Sequence, residues 1–128
     1  MADFRNLRVW REALKLSVAT AEAVEKMTGG ESASILRKQL LRATFSIQAN
    51  IAEGSSKRSD KEFGRYLRIA LGSSTESANH MILMHELGLL DDPTFTLLAS
   101  KLDVVGKMLS GLEKRLRGDE HEAGGDLP

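Results

Sequence analysis

Phe95-Thr-Leu-Leu98-Ala-Ser-Lys-Leu102-Asp-Val-Val105-Gly-Lys-Met-Leu109-Ser-Gly-Leu112-Glu-Lys-Arg-Leu116 decides the fold class. Its apolar residues Phe95, Leu98, Leu102, Val105, Leu109, Leu112 and Leu116 recur at alternating steps of three and four. That spacing keeps one stripe of an α-helix against a neighbour over three full heptads. Just before it, Asp92-Pro93 offers an N-cap and a first-turn proline, which already has helical φ and lacks an amide to leave unbonded. After Gly118 the pattern stops, and the acidic tail over residues 118–128 has no core-facing periodicity and is expected to be disordered.

The same periodicity runs back along the chain. Leu7, Trp10, Leu14, Ser17, Ala21 and Val24 mark a first helix over about residues 6–28, which Gly29-Gly30 interrupts. Ser32 or Ser34 caps a second helix, whose stripe is Leu36, Leu40, Ala43, Ile47 and Ile51 and which ends at Gly54. Ser59-Asp-Lys-Glu62 reads as a capping box for a third helix. That helix carries Phe63, Leu67, Ala70, Ser74, Ser77, Met81 and Met84 as far as Gly88, about 42 Å at 1.5 Å per residue. Four helices with short connections predict an all-α, antiparallel up-down-up-down four-helix bundle over residues 1–117, because short loops force sequential helices to run antiparallel. At 128 residues there is room for one such core.

Composition narrows the function. There is no cysteine, so disulfides, thiolate metal sites and thiol nucleophiles are all excluded. Neither a bilayer-length apolar run nor a secretory leader is present, and a cytoplasmic protein is expected. Glu76 and His80 stand four apart and have no counterpart pair on another helix, unlike the Glu-x-x-His pairs of di-iron bundles. No nucleophile elbow or glycine-rich phosphate loop occurs. The expectation is a non-enzymatic protein without metal or cofactor. Formal charge is zero, yet residues 1–68 hold 13 Lys and Arg against 8 Asp and Glu, and residues 69–128 hold 5 against 10.

Three features do not serve the apolar seams. Arg42, Ser46, Asn50 and Glu53 form a polar ladder on the second helix, and a buried Asn50 requires hydrogen-bond partners. It can set the register of the core, tie helix two to helix three or line a subunit interface. Glu76 on the third helix should come near Arg37 or within reach of Arg42, as an ion pair. On a helical wheel Arg58, Lys61, Arg65 and Arg68 fall within about 80° of one another, opposite Phe63, Leu67, Ala70 and Ser74. Lys57 in the turn, with Arg37 and Lys38 on the second helix, can enlarge this basic stripe. It suits nucleic-acid phosphates; the plainer reading is a solvated face partly neutralised by Asp60 and Glu62. Finally, Met81-Ile82-Leu83-Met84 is apolar on every side, which predicts burial on more than one side and hence self-association.

Asp3-Phe-Arg-Asn-Leu-Arg-Val-Trp10-Arg-Glu-Ala13, Gln39-Leu-Leu-Arg42-Ala, Ser46-Ile-Gln-Ala-Asn50-Ile-Ala-Glu53-Gly54, Lys61-Glu-Phe63 and Ala70-Leu-Gly-Ser-Ser-Thr-Glu76 together resemble the four-helix-bundle proteins encoded in intervening sequences of bacterial 23S ribosomal RNA genes. The resemblance spans about residues 3–95, and Asn-Ile-Ala-Glu-Gly is its most specific part. Such proteins are similar to the accessory protein of diversity-generating retroelements, a pentameric helical barrel that binds nucleic acid and its reverse transcriptase. The resemblance implies a homopentameric ring and no known enzymatic activity. Gln48 stands where that family often has proline, Ser56 where it often has glycine, and Gly29-Gly30 where proline is usual, whereas Lys57 keeps a basic side chain in the turn.

Two functions follow as expectations. The first is an oligomeric adaptor that contacts RNA or DNA through Lys57, Arg58, Lys61, Arg65 and Arg68. The second is a protein-only scaffold that docks a partner enzyme, such as a reverse transcriptase, through the apolar surface of the third helix.

Overall fold

The computed structural model describes residues 3–120. A 3-10 turn over Phe4–Asn6 leads into α1 (Arg8–Glu25), α2 (Glu31–Ser55), α3 (Asp60–Glu86) and α4 (Asp92–Glu120), and no strand occurs among the described residues. Consecutive helices pack together and α4 closes back on α1, whereas α1 does not touch α3. The molecule is therefore a four-helix bundle whose helices lie in cyclic order. α4 continues to Glu120, beyond the expected end at 117; the remainder of the expected acidic tail, residues 121–128, lies outside the described residues.

The helix ends follow local chemistry. Ser59 Oγ accepts from the Glu62 amide at 3.1 Å, which satisfies one of the free donors opening α3. Gly88 takes a φ of +76°, a left-handed conformation that side chains disfavour, and the Leu89 amide then reaches back to the Met84 carbonyl at 2.8 Å. At the start of α4 the cap falls one residue earlier than the sequence reading placed it. Asp91, not Asp92, accepts from the Thr94 amide at 2.9 Å, so Asp92 opens the helix and Pro93 sits in its first turn.

The core is aliphatic: Leu16, Leu40, Ile47, Ile51, Leu67, Met81, Met84, Leu98, Val105 and Leu109 are all essentially inaccessible to solvent. The stripes expected for α2 and α3 and the central part of the α4 seam face it. The stripe expected for α1 does so only in part: Ser17 and Val24 are buried, and Leu7 and Trp10 pack against the core. The buried residues of that helix are Val9, Ala13, Leu16, Ser17, Thr20 and Val24, while Leu14 is exposed and Trp10 and Ala21 are only half-buried. Ala13 and Thr20 stand on the inner face beside Leu16, whereas Leu14 and Val18 are left on the outside.

Candidate functional site

Antiparallel packing gathers charge by position along the bundle axis rather than by sequence half. Residues 3–16, 44–72 and 106–118 form the half nearest the α2–α3 turn and carry thirteen Lys and Arg against six Asp and Glu. Residues 17–43 and 73–105 form the other half and carry five against eight. Asp119 and Glu120, which end α4, lower the positive excess of the first half from seven to five. The bundle therefore has a basic end, assembled from the start of α1, the α2–α3 turn and the last turns of α4.

On the α2–α3 side of that end is Tyr66. Its ring lies 5.2 Å from Lys57 Nζ and 4.7 Å from Arg65 Cζ, and its hydroxyl donates to Glu53 Oε2 at 3.3 Å. Cations over an aromatic face are attracted by the ring quadrupole, so Tyr66 holds two basic side chains near the surface. Gly54 makes this possible. A Cβ there would stand 2.6 Å from Tyr66 Cβ and 2.9 Å from Phe63 Cδ1, so only glycine lets α2 and α3 converge this closely at the turn.

The expected basic stripe is altered in three ways. Arg58 lies in the turn before α3, outside the helix whose wheel placed it, although it is exposed beside Lys57. Lys61 and Arg65 are exposed on the first turns of α3. Arg68 is drawn to α4, where Nη1 donates to Glu113 Oε2 at 3.0 Å. Glu113 is only 6% exposed and also lies 3.6 Å from Arg117 Nη2, so two arginines neutralise one buried carboxylate. Arg37, expected to enlarge the stripe, is in the other half of the bundle. There its Nε and Nη2 donate to the Val24 and Met27 carbonyls, each at 3.2 Å, and close the C-terminus of α1.

The polar ladder runs along the α2–α3 contact. Arg42 pairs with Glu76, whose carboxylate also lies 3.2 Å from His80 Nε2. The hydrogen bond with His80, helped by the Arg42 guanidinium, holds the Glu76 carboxyl below the usual range against the opposing effect of desolvation. Ser46 Oγ meets Ser73 Oγ at 2.9 Å, and the buried Thr44 Oγ1 meets Ser77 Oγ at 3.2 Å. Asn50 is half-buried rather than in the core. Its Nδ2 donates to the Ser46 carbonyl at 2.8 Å and to Ser46 Oγ at 3.0 Å, so it braces the serine that bridges to α3.

Of the apolar quartet, Met81 and Met84 belong to the bundle's own core, at 1% and 0% exposure, which removes them from the expected interface. Ile82 and Leu83 are exposed. Two apolar grooves lie on opposite sides of the bundle. The one along α1 and α2, of about 630 Å³, includes Trp10, Leu14, Val18, Phe45 and Ala49. The one along α3 and α4, of about 530 Å³, includes Leu71, Ala78, Ile82, Phe95 and Ala99. Ser17 Oγ and Gln48 Oε1, both at the first groove, are buried without a hydrogen-bond partner.

Sequence reasoning missed Tyr66, Glu113 and the α1–α2 groove. A signal existed for Glu113, since an antiparallel α4 must return its last turns, with Lys114, Arg115 and Arg117, beside the first turns of α3. None existed for the groove, because two adjacent stripes of α1 both satisfy helical spacing. Among the described residues, no three His, Asp or Glu side chains gather as a metal ion would require, and no helix is long and apolar enough to cross a membrane.

Residues 5–111 match the family described as 23S rRNA-intervening sequence protein. Among solved structures, the chain is similar to a protein of unknown function from the S23 ribosomal protein family of Bacteroides thetaiotaomicron VPI-5482, determined by crystallography at 1.70 Å. The identity is 22%, the TM-score is 0.74, and the match covers 83% of this chain and 98% of that one. At that identity the likeness speaks to the fold. No curated protein matches the chain.

Proposed function

Because the chain belongs to the 23S rRNA-intervening sequence protein family, we propose that it is one subunit of a homo-oligomeric ring, a non-enzymatic adaptor that associates with nucleic acid through its basic end. The observation that carries this reading is the axial separation of charge, with Lys57, Arg58, Lys61 and Arg65 exposed or half-exposed around the α2–α3 turn. Closely spaced cations gain affinity for a polyphosphate backbone by releasing its condensed counterions, whatever the bases.

The ring is supported by the two grooves. Opposite, dissimilar apolar faces favour a head-to-tail contact, and such contacts close into rings when the rotation permits. Docking would also give Ser17 Oγ and Gln48 Oε1 a chance of partners, which buried polar atoms require. In a cyclic ring whose bundles stand along the ring axis every subunit points the same way, so all basic ends gather on one rim. Five subunits, as the family resemblance suggests, would give about five times the 14.0 kDa of the chain.

Fluorescence anisotropy with labelled RNA and DNA tests the reading. Binding is expected at low salt and should weaken steeply as salt rises. The triple substitution Arg58→Glu, Lys61→Glu and Arg65→Glu should abolish it while leaving the helical circular-dichroism spectrum unchanged. Absence of binding at low salt, or binding indifferent to these substitutions, overturns it.

A further inference from the structure

On a different face of the basic end, the start of α1 and the end of α4 enclose an open hollow of about 540 Å³. Arg8 and Arg115 both line it, over a floor of Val9, Met108 and Leu112. Val9 is 5% exposed, and Met108 and Leu112 pack on the core, so the floor is fixed in place. Arg8 makes no ion pair among the described residues, and no acidic residue occupies the first turn of α1 to offset it. Two cations over an apolar base form the arrangement that an amphipathic anion fits, and a volume of this size is typical of small-ligand sites.

We propose that this hollow seats one nucleotide of a single-stranded nucleic acid, with its phosphate at Arg8 and Arg115 and its base against Val9, Met108 and Leu112. The inference rests on the nucleic-acid reading above and extends it by naming the strand class and a second contact. Lys57 and Arg58 lie at the same end of the bundle as Arg8 and Arg115, so a strand bound at that end has cations on two of its sides to follow. A base reaches an apolar floor only when it is free of its own stack, which a duplex does not allow.

Anisotropy titrations of the full chain against a fluorescein-labelled uridine oligonucleotide and an RNA duplex of equal length test this. The single strand should bind roughly tenfold more tightly than the duplex. Arg8→Gln with Arg115→Gln should weaken single-strand binding roughly five- to tenfold, and should flatten the dependence of log affinity on log salt by about 1.4, or ~0.7 for each cation removed. Both arginines are exposed, so the fold should persist, and a circular-dichroism melt verifies it. A double variant with unchanged affinity and salt slope, in a protein that loses binding on charge reversal at Arg58, Lys61 and Arg65, overturns the hollow alone. A duplex bound as tightly as the single strand overturns the seating of a base. No oligonucleotide binding by the unaltered chain overturns both the hollow and the reading beneath it.

Discussion

Adding a methyl group at residue 54 would bring a Cβ within 2.6 Å of Tyr66 Cβ, and neither backbone can retreat without separating α2 from α3. Gly54→Ala should therefore destabilise the protein by roughly 1–3 kcal/mol, the usual range for overpacking. Gly72→Ala supplies the control, because a Cβ there meets nothing within 4 Å and helix propensity alone should stabilise by about 0.5–1 kcal/mol. Urea unfolding of the two variants should move in opposite directions; a stabilised Gly54→Ala would show that the close approach is not required. Glu76 has a different signature. Its carboxyl sits below its ordinary value in the folded chain, so its contribution is full above the unfolded value near 4.5 and is lost as pH falls through the lowered folded one. The side chain is 37% exposed, and solvent screening keeps the contribution of the pair to about 0.5 kcal/mol. Glu76→Gln should accordingly be less stable than the unaltered chain at pH 6, and the gap should narrow as pH is lowered toward 3. A gap that is constant across that range would mean the charge contributes nothing.

At the scale of the helix, adjacent positions of α3 separate core from surface. Met81 is 1% exposed and Ile82 is 55% exposed. Met81→Asp buries a carboxylate with no partner, at a cost of roughly 3–5 kcal/mol, and should unfold much of the protein. Ile82→Asp should keep the helical spectrum and the unfolding midpoint of the isolated subunit, yet lower the mass measured by light scattering. If both variants unfold alike, Ile82 is not at the surface in solution. These two residues also show what the sequence made legible. The apolar run Met81-Ile82-Leu83-Met84 announces more burial than one bundle supplies, and the α3 stripe places Met81 and Met84 inward, which leaves Ile82 and Leu83 as the pair outside it. In α2 and α3 a single apolar stripe left no choice, and Leu36, Leu40, Ala43, Ile47 and Ile51 all proved buried. In α1 two stripes both satisfied the spacing, and side-chain size favoured Trp10 and Leu14 over Ala13 and Thr20. Size misled there, because Ala13 and Thr20 took inner positions and Leu14 an outer one. The basic cluster was partly legible for a related reason. Lys61 and Arg65 follow from helical spacing, whereas Arg68 and Arg37 find partners only in three dimensions, at Glu113 and at the end of α1.

For the whole molecule in the proposed ring, the decisive question is whether the two apolar grooves meet each other or each meets its own kind. Phe45, 44% exposed, lies in the α1–α2 groove, and Ile82 lies in the α3–α4 groove on the opposite side. In a ring built head to tail, each junction uses one groove of each type. Phe45→Asp disables the first type and Ile82→Asp the second, so either variant alone should run as a monomer of 14.0 kDa. Mixed in equal amounts, they should form a dimer of about twice that mass, because the intact α3–α4 groove of the first variant meets the intact α1–α2 groove of the second. That dimer has two disabled outer faces and cannot grow further. A pairing of like with like predicts the reverse: each variant would keep one self-complementary face and dimerise alone, and mixing would add nothing. Sedimentation of the two variants, apart and together, distinguishes the arrangements. The head-to-tail outcome lets more than two basic ends gather in one closed ring, where the phosphate contacts of several subunits act on one strand and the salt dependence of binding steepens with their number.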